Sequence, residues 1–170
     1  MAELKTVYKW MWVWDFEKEE EWLNEMAMQG WALVSVGFAK YTFERCEPGE
    51  YTIRLEMHGA DPSYISFMED AGAEYIGRLF AWIYLRRKSE YGPFDLFSDI
   101  DSRISHLDRI GRMLRLIGGA NLMIGLANSI GNPVARMGWL NLICATLLFY
   151  GLGRIDGKKE QLLRERRIRE

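Results

Sequence analysis

The sequence predicts an α+β domain followed by two helices that cross a membrane. Residues 1–90 alternate between strand-like and helix-like hydrophobic spacing, while Leu116–Ile130 and Met137–Gly153 carry no charged side chain. Each uncharged run approaches the length that crosses a hydrocarbon core, roughly 17–25 residues. We therefore expect a water-soluble domain and a membrane-embedded hairpin in one chain.

The first strand and the first helix are predicted from local composition. Aromatic and β-branched residues alternate over Thr6–Trp14, which is typical of a strand. Asp15 is a suitable N-cap, and the acidic residues that follow it favour the positive end of a helix dipole. Because Gly30 is a natural helix stop, the pattern predicts a helix over residues 16–29.

The rest of the domain follows in the order strand, strand, helix, strand. Trp31–Glu44 and Tyr51–Met57 are strand-like and flank a turn, so they predict a hairpin. Asp61-Pro62 predicts the start of a second helix, which Gly72 ends, and Ala73–Arg87 predicts the last strand. The complete order, β-α-β-β-α-β, is that of a ferredoxin-like fold, in which both helices cover one face of a four-stranded antiparallel sheet.

These elements divide the chain into four segments. We predict a cytoplasmic ferredoxin-like domain over residues 1–90, a linker and juxtamembrane helix over 91–111, a transmembrane hairpin over 112–155 and a basic cytoplasmic tail over 156–170. Ser98 or Asp99 would cap the juxtamembrane helix. A Gly131-Asn132-Pro133 break separates the two spans.

The distribution of basic side chains predicts the orientation of the hairpin. Arginines precede the first span and follow the second, whereas the connecting segment has Arg136 alone. The positive-inside rule then places both termini in the cytoplasm. The polar N-terminus, which lacks a signal-peptide pattern, and the widely separated Cys46 and Cys144 agree with that location.

Charge and residue types argue against several function classes. Residues 1–110 carry 20 acidic and 12 basic side chains, so nucleic acid is not an expected partner. His58 and His106 lie on different elements, and the chain has neither a zinc-type cluster nor a glycine-rich nucleotide motif. The acidic start of the first helix is better explained by its dipole than by a metal. We expect no cofactor, no metal and no catalysis.

The open face of the predicted sheet carries many aromatic and charged side chains. We predict a ligand or partner face made of Trp10, Trp12, Trp14, Arg54, Glu56, Arg78, Phe80, Trp82 and Tyr84. A soluble domain rarely leaves so large an apolar patch bare. Three alternatives could cover this face: the chain's own Tyr91–Ile100 segment or a helix, a second protomer or another protein, or an aromatic or cationic small molecule.

Small and polar residues within the two spans predict a hairpin contact. Gly118 and Gly125 lie seven residues apart, as do Asn121 and Asn128, and Asn141 lies in the second span. Such residues in lipid usually face another helix. They would hold the hairpin or a homo-oligomer together. The alternatives are a polar path for a substrate and a hairpin that is buried in a soluble dimer.

Several motifs resemble those of the DUF2812 family. They are Trp12–Met26, Tyr41–Tyr51, Gly92-Pro93-Phe94-Asp95-Leu96 and Ser98-Asp99-Ile100-Asp101-Ser102-Arg103, and the resemblance covers about residues 5–110. It implies a bacterial, mostly Firmicute, protein with a cytoplasmic N-terminal domain and C-terminal membrane helices. Members of this family are often encoded beside PadR-like transcriptional regulators. The family has no established activity, so the resemblance assigns no catalytic residue.

These patterns together predict a membrane-anchored sensor or interaction module that binds a protein partner or a small ligand through its cytoplasmic domain. The expected partners are the lipid bilayer and a protein, either a different one or a second copy of the chain, with a small molecule as the further alternative. The alternative function is an accessory subunit of a membrane transporter, or a small oligomeric transporter. Asn121 and Asn128 would then matter to transport.

Overall fold

The computed structural model describes residues 3–59, 61–97, 99–131 and 136–169. The chain forms two compact units, Met1–Ser98 and Asp99–Glu170. The first unit mixes strands and short helices, and the second contains two long helices. The α+β class and the two long apolar helices that the sequence predicts are thus confirmed.

The first unit has six strands and two α-helices. In chain order they are β1 (Leu4–Tyr8), α1 (Phe16–Met28), β2 (Trp31–Gly37), β3 (Lys40–Arg45), β4 (Tyr51–Met57), α2 (Pro62–Asp70), β5 (Ala73–Leu79) and β6 (Trp82–Lys88). The strands form two antiparallel three-stranded sheets, with the orders β1-β3-β2 and β4-β6-β5. The unit is therefore a β-α-β-β arrangement that occurs twice.

The two β-α-β-β repeats match in local detail. Gly30 and Gly72, which lie 42 positions apart, both follow a helix with φ of +83°. Glycine adopts this left-handed conformation, which ends a helix, with little steric strain because it has no Cβ. In each repeat the first strand after the helix carries a bulge, between Leu33 and Ser35 in one sheet and between Tyr75 and Gly77 in the other.

This repeat corrects the predicted ferredoxin-like order. The predicted strand Trp31–Glu44 is a hairpin of β2 and β3 that turns at Phe38-Ala39. The predicted strand Ala73–Arg87 is likewise a hairpin of β5 and β6 that turns at Phe80-Ala81. Ala39 and Phe80 have φ of 50° and 53° and so reverse the chain without the usual glycine or asparagine. The predicted pairing of the second and third strands is also wrong, because β3 pairs with β1 and β2 while β4 pairs with β6.

Both helix predictions in this unit are confirmed. Asp61 caps α2 by accepting from the Ser63 N–H at 2.9 Å, and Pro62 occupies the first helical position. α1 begins directly after Asp15, which forms an ion pair with Lys18 at 3.1 Å. β1, in contrast, ends at Tyr8, so the predicted strand over Thr6–Trp14 is too long.

Each repeat contributes to the core of the first unit. Leu23, Leu33, Phe43 and Ile53 are fully buried around α1 and the strands that flank it. A second cluster joins α2 to β5 and β6 and consists of Met68, Ala73, Ile83, Leu85 and Phe94. Since Phe94 packs into this cluster, the segment after β6 belongs to the first unit.

Arg86 of β6 ties the two sheets together. Its Nη1 donates to the Leu33 carbonyl oxygen at 3.0 Å and to Glu44 Oε1 at 2.9 Å, both in the first sheet. Its Nε donates to Glu74 Oε2 at 2.7 Å in its own sheet, and its guanidinium lies 4.5 Å from the Tyr51 ring centroid. One half-buried cation thus bonds both repeats.

The second unit is an antiparallel pair of helices, α3 (Ile100–Gly131) and α4 (Arg136–Arg169). Asp99 caps α3, because its Oδ1 accepts from the Ser102 N–H at 2.7 Å. By length and composition, Ile100–Ser129 and Gly138–Ile168 could each span a membrane. Residues 132–135, where the predicted Gly131-Asn132-Pro133 break falls, lie outside the described part of the chain.

Candidate interaction surface

Three exposed aromatic rings of the first unit form a cluster in which the middle ring, Trp10, contacts the other two. Trp10, Trp12 and Phe38, called here the aromatic patch, are 53%, 41% and 64% exposed. The Trp10 ring lies edge-on to both others, with centroid distances of 5.3 Å to Trp12 and 5.3 Å to Phe38. Edge-to-face contacts of this kind each contribute about 0.5–1.5 kcal/mol, so the patch has a defined shape before anything binds.

Two segments that are distant in sequence bring the patch together. Trp10 and Trp12 lie in the connection from β1 to α1, whereas Phe38 opens the turn between β2 and β3. The Lys9 N–H donates to the Ala39 carbonyl oxygen at 3.0 Å and joins the connection to the turn. The patch therefore forms only when the first repeat is folded.

The patch is fixed to the interior through Trp14. This ring is buried and stacks on Trp12, with a centroid distance of 4.9 Å and planes 8° apart. Val13–Asp15 forms a single 3₁₀ turn, in which the Asp15 N–H donates to the Trp12 carbonyl oxygen at 2.8 Å. In a strand, Trp10, Trp12 and Trp14 would all lie on one face. The 3₁₀ turn changes the direction of the chain, so that Trp14 points to the interior.

Several members of the predicted aromatic face lie in the interior instead. Trp14, Glu56, Trp82 and Tyr84 are buried. Trp82 and Tyr84 belong to β6, which is the central strand of its sheet and has side chains packed on both faces. Ile83 and Leu85 join the Phe94 cluster, while Tyr84 points to α1. The Tyr91–Ile100 segment thus contributes Phe94 to the second repeat.

Two polar members of the predicted face, Arg54 and Glu56, have partners within the fold. Glu56 accepts from the Tyr64 hydroxyl at 2.5 Å, and Arg54 forms an ion pair with Glu20 at 3.2 Å. Arg78 and Phe80 are exposed. Phe80 makes no ring contact with any residue that the structure describes, so it stands apart from the aromatic patch.

Glu19 is a buried carboxylate that joins the two repeats. Its Oε1 accepts from the Tyr41 hydroxyl at 2.7 Å and from the Tyr84 hydroxyl at 2.6 Å. Burial is the main cause that raises the pKa of Glu19, and burial beside this carboxylate raises the pKa of both tyrosines. Because α1, β3 and β6 each supply one group, the cluster holds the helix against both sheets.

Glu20, one of the acidic residues at the start of α1, is bonded to the backbone of β4. Glu20 Oε2 accepts from the Leu55 N–H at 3.0 Å, and burial raises the pKa of this carboxyl. Across the described ranges, no three His, Cys, Asp or Glu side chains are grouped closely enough to hold a metal ion.

The predicted hairpin contact residues occupy different environments. A Cβ added to Gly118 or Gly125 would touch Leu148 or Leu142 of α4, so both glycines lie at the interface of the two helices. Asn121 donates its Nδ2 to the Ile117 carbonyl oxygen of its own helix at 2.9 Å. Asn128 and Asn141 are half-buried.

Sequence reasoning missed Phe38 and Glu19. Phe38 lay inside a stretch that was predicted to be one strand, although the Phe-Ala pair recurs 42 residues later at Phe80 and would have revealed two turns. Glu19 is one of four glutamates within five positions, and nothing in the composition marks it as the buried one. Its burial depends on two tyrosines that only the fold brings near.

Comparisons with known proteins identify a family and no function. Residues 15–118 match the family described as "Protein of unknown function (DUF2812)". This match covers more than half of the chain. No curated protein and no solved structure matches.

Proposed function

The chain belongs to the DUF2812 family, and we propose that it is a membrane-anchored interaction module whose first unit binds a partner through the aromatic patch. The observation that supports this most directly is the set of exposed, touching rings of Trp10, Trp12 and Phe38. Exposed clusters of large aromatic side chains are typical of binding surfaces, where tryptophan contributes a large share of the energy.

A protein is the better-supported occupant of the patch. Small-molecule sites are usually concave and enclose most of the ligand. All three patch rings are instead open to solvent, and Trp12 alone has a ring stacked beneath it from the interior. An open surface of aromatic side chains suits the apolar centre of a protein–protein interface.

The second unit supports the anchoring part of the proposal. Both helices are long and apolar enough to cross a bilayer. Large side chains such as Leu116, Met123 and Trp139 are more than 60% exposed in the hairpin, and water would solvate them poorly. We place both termini in the cytoplasm, because the basic residues lie at the ends of α3 and α4 that flank the apolar part.

A pair of matched variants tests the role of the patch. Trp10→Ser with Phe38→Ser removes two patch rings and should leave the fold intact, because both side chains are largely exposed. Tyr8→Ser with Phe80→Ser removes two aromatic residues that lie outside the patch and are more exposed, at 75% and 76%. The intact protein in mild detergent would carry an affinity tag for recovery of bound proteins by mass spectrometry.

The proposal expects proteins that the wild type and the Tyr8/Phe80 variant retain equally and that the patch variant loses. Equal retention by all three proteins would contradict a binding role for the patch. Recovery of the wild type from a detergent-free soluble fraction would contradict the membrane anchor. Circular dichroism of each variant distinguishes lost binding from lost folding.

The transporter alternative has weaker support. A polar path through the hairpin would need side chains that are free to bind a substrate. Asn121 and Thr146 instead donate to the carbonyl oxygens of Ile117 and Leu142 in their own helices, each at 2.9 Å. Loss of transport on replacing Asn121 and Asn128 by leucine, with assembly unchanged, would revive this alternative.

A further inference from the structure

The apolar parts of α3 and α4 begin at the same level of the hairpin. A Cβ at Gly111 would lie 3.6 Å from Leu152, and one at Gly118 would lie 3.4 Å from Leu148. These contacts set an antiparallel register in which the turn of α3 around Gly111 lies beside the turn of α4 around Leu152. The last basic residues of α3, Arg112 and Arg115, therefore lie level with Arg154, the first basic residue after the uncharged run Met137–Gly153 of α4.

Four cations form a belt at this level. They are Arg112, Arg115, Arg154 and Lys158, called here the basic belt. Further from the apolar part, two ion pairs join the helices, Lys159 with Asp108 at 2.6 Å and Arg166 with Asp101 at 2.7 Å. The level at which the apolar surface begins thus carries the four belt cations and one acidic residue, Asp156, and so has an excess of positive charge.

The belt arginines of α3 are available to an external anion. Arg112 and Arg115 are exposed, and neither forms an ion pair with any residue that the structure describes. The Arg115 Nη2 atom lies 3.3 Å from the position that a Cβ on Gly111 would occupy, so the guanidinium reaches back one turn from the apolar surface. Arginines at the end of a membrane helix extend towards the headgroups in this way.

We propose that the basic belt binds the phosphates of anionic phospholipid headgroups. The proposal rests on the membrane anchor proposed above and adds selectivity for one class of lipid. Guanidinium groups bind phosphate oxygens through two parallel hydrogen bonds. A zwitterionic headgroup brings its own cation, which four clustered positive charges would repel, whereas phosphatidylglycerol brings a net negative charge.

Lipid retention by the intact protein tests the proposal. Detergent-purified protein would be mixed with equal amounts of phosphatidylglycerol and phosphatidylcholine with identical acyl chains, separated from free lipid by size exclusion, and its bound lipids counted by mass spectrometry. The variant Arg112→Gln with Arg115→Gln removes two belt charges. Arg164→Gln with Arg167→Gln removes the same charge from α4 about 15 Å or more beyond Arg154, at 1.5 Å per residue.

The wild type should retain phosphatidylglycerol in preference to phosphatidylcholine, and 0.5 M NaCl should weaken the preference. The belt variant should lose about fivefold of this preference for each arginine, since each basic residue near an anionic surface contributes about that factor. The Arg164/Arg167 variant should keep most of it. Equal retention of the two lipids by the wild type, or an equal loss in both variants, overturns headgroup selectivity and leaves the membrane anchor standing. A wild type that stays soluble without detergent overturns the anchor itself.

Discussion

Asn24 of α1 pairs with the backbone of Ile53 as a neighbouring strand would. Its Oδ1 accepts from the Ile53 N–H at 2.9 Å, and its Nδ2 donates to the Ile53 carbonyl oxygen at 3.0 Å. Glu20, one turn earlier, accepts from the Leu55 N–H. Because β4 is the end strand of its sheet, these side chains satisfy backbone groups that no strand reaches.

Removal of the Asn24 side chain should loosen this edge. We expect Asn24→Ala to lower the free energy of unfolding by about 2–4 kcal/mol, because two partly buried backbone groups lose their partner. Asn24→Asp should recover only part of that loss, since one carboxylate oxygen would face the Ile53 carbonyl oxygen. Urea unfolding gives the stability, and hydrogen exchange at the Ile53 amide gives the local effect.

Glu25→Ala is the matched control for the β4 edge, since Glu25 is exposed on the same helix. It should change the free energy of unfolding by less than about 0.5 kcal/mol. Unchanged protection of the Ile53 amide in Asn24→Ala would show that water replaces the side chain without loss.

The Glu19 cluster should make stability depend on pH. Burial raises the pKa of Glu19 in the folded chain above the ordinary 4.5 of the unfolded chain. At a pH between the unfolded-state pKa and the folded-state pKa, the folded chain holds a proton that the unfolded chain has released. The folded state gains stability as pH falls into this window, and that gain is lost as pH rises through the folded-state pKa. Glu19→Gln keeps an acceptor for the hydroxyls of Tyr41 and Tyr84 but cannot titrate. Its free energy of unfolding should rise less on acidification from pH 7 to 4.5.

Urea unfolding of the wild type and Glu19→Gln at several pH values in that range gives the free energy of unfolding of each protein as a function of pH. The prediction concerns the difference between the slopes of these two pH dependences. Tyr84→Phe complements them, because it leaves the buried carboxylate with one donor fewer and should cost about 1–3 kcal/mol at pH 7. Parallel slopes for the wild type and Glu19→Gln would exclude Glu19 as the titrating group.

Arg86 should be more important to the first unit than any exposed arginine. Arg86→Leu leaves Glu44 and Glu74 without their cation and frees the Leu33 carbonyl oxygen, so we expect a loss of about 2–4 kcal/mol. Arg86→Lys should recover little, since one ammonium cannot bond both sheets in this geometry. Arg78→Leu, which changes an exposed arginine of β5, serves as the comparison in thermal unfolding and should be nearly neutral. Similar losses in Arg78→Leu and Arg86→Leu would deny Arg86 its bridging role.

Close packing of α3 and α4 should depend on Gly125. A Cβ at this position would lie 2.8 Å from Leu142 Cγ and 3.1 Å from the Gly138 carbonyl oxygen, so Gly125→Ala forces the helices apart. We expect a loss of about 1–3 kcal/mol, as for other overpacked sites. Gly119→Ala meets nothing within 4 Å and should be neutral or stabilise α3 by up to about 1 kcal/mol. Thermal unfolding in detergent compares the two, and equal melting temperatures would contradict this register.

The sequence predicts single elements of this fold better than their pairing. The caps and stops at Asp61, Gly30 and Gly72 follow from local chemistry, and the structure confirms them. The turns at Phe38-Ala39 and Phe80-Ala81 carry no such mark, since a phenylalanine and an alanine take the positive φ there. Each of the two hairpins therefore resembled one long strand in the sequence. The predicted sheet order was wrong because it was built from four strands instead of six.

The candidate surface was predictable in part for a related reason. The exposure of Trp10 and Trp12 is visible in the sequence as an excess of aromatic residues, but alternation alone assigns Trp14 to the same face. The 3₁₀ turn at Val13–Asp15 breaks that alternation and buries Trp14. Trp82 and Tyr84 needed knowledge that β6 is a central strand, which depends on pairing across distant parts of the chain.

The side chains that α1 places along β4 make the two copies of the β-α-β-β repeat unequal. β2 and β5 lie beside each other within the unit, and α1 occupies the outer border of β4. Among the described strands, β1 has β3 as its one hydrogen-bonded neighbour, so its outer border is the one remaining place where a strand could be added. A domain with a single exposed strand edge can add one strand at that edge but cannot grow into an open-ended filament, which needs two edges. Among the described strands, the unequal repeats thus leave one open border of this kind instead of two.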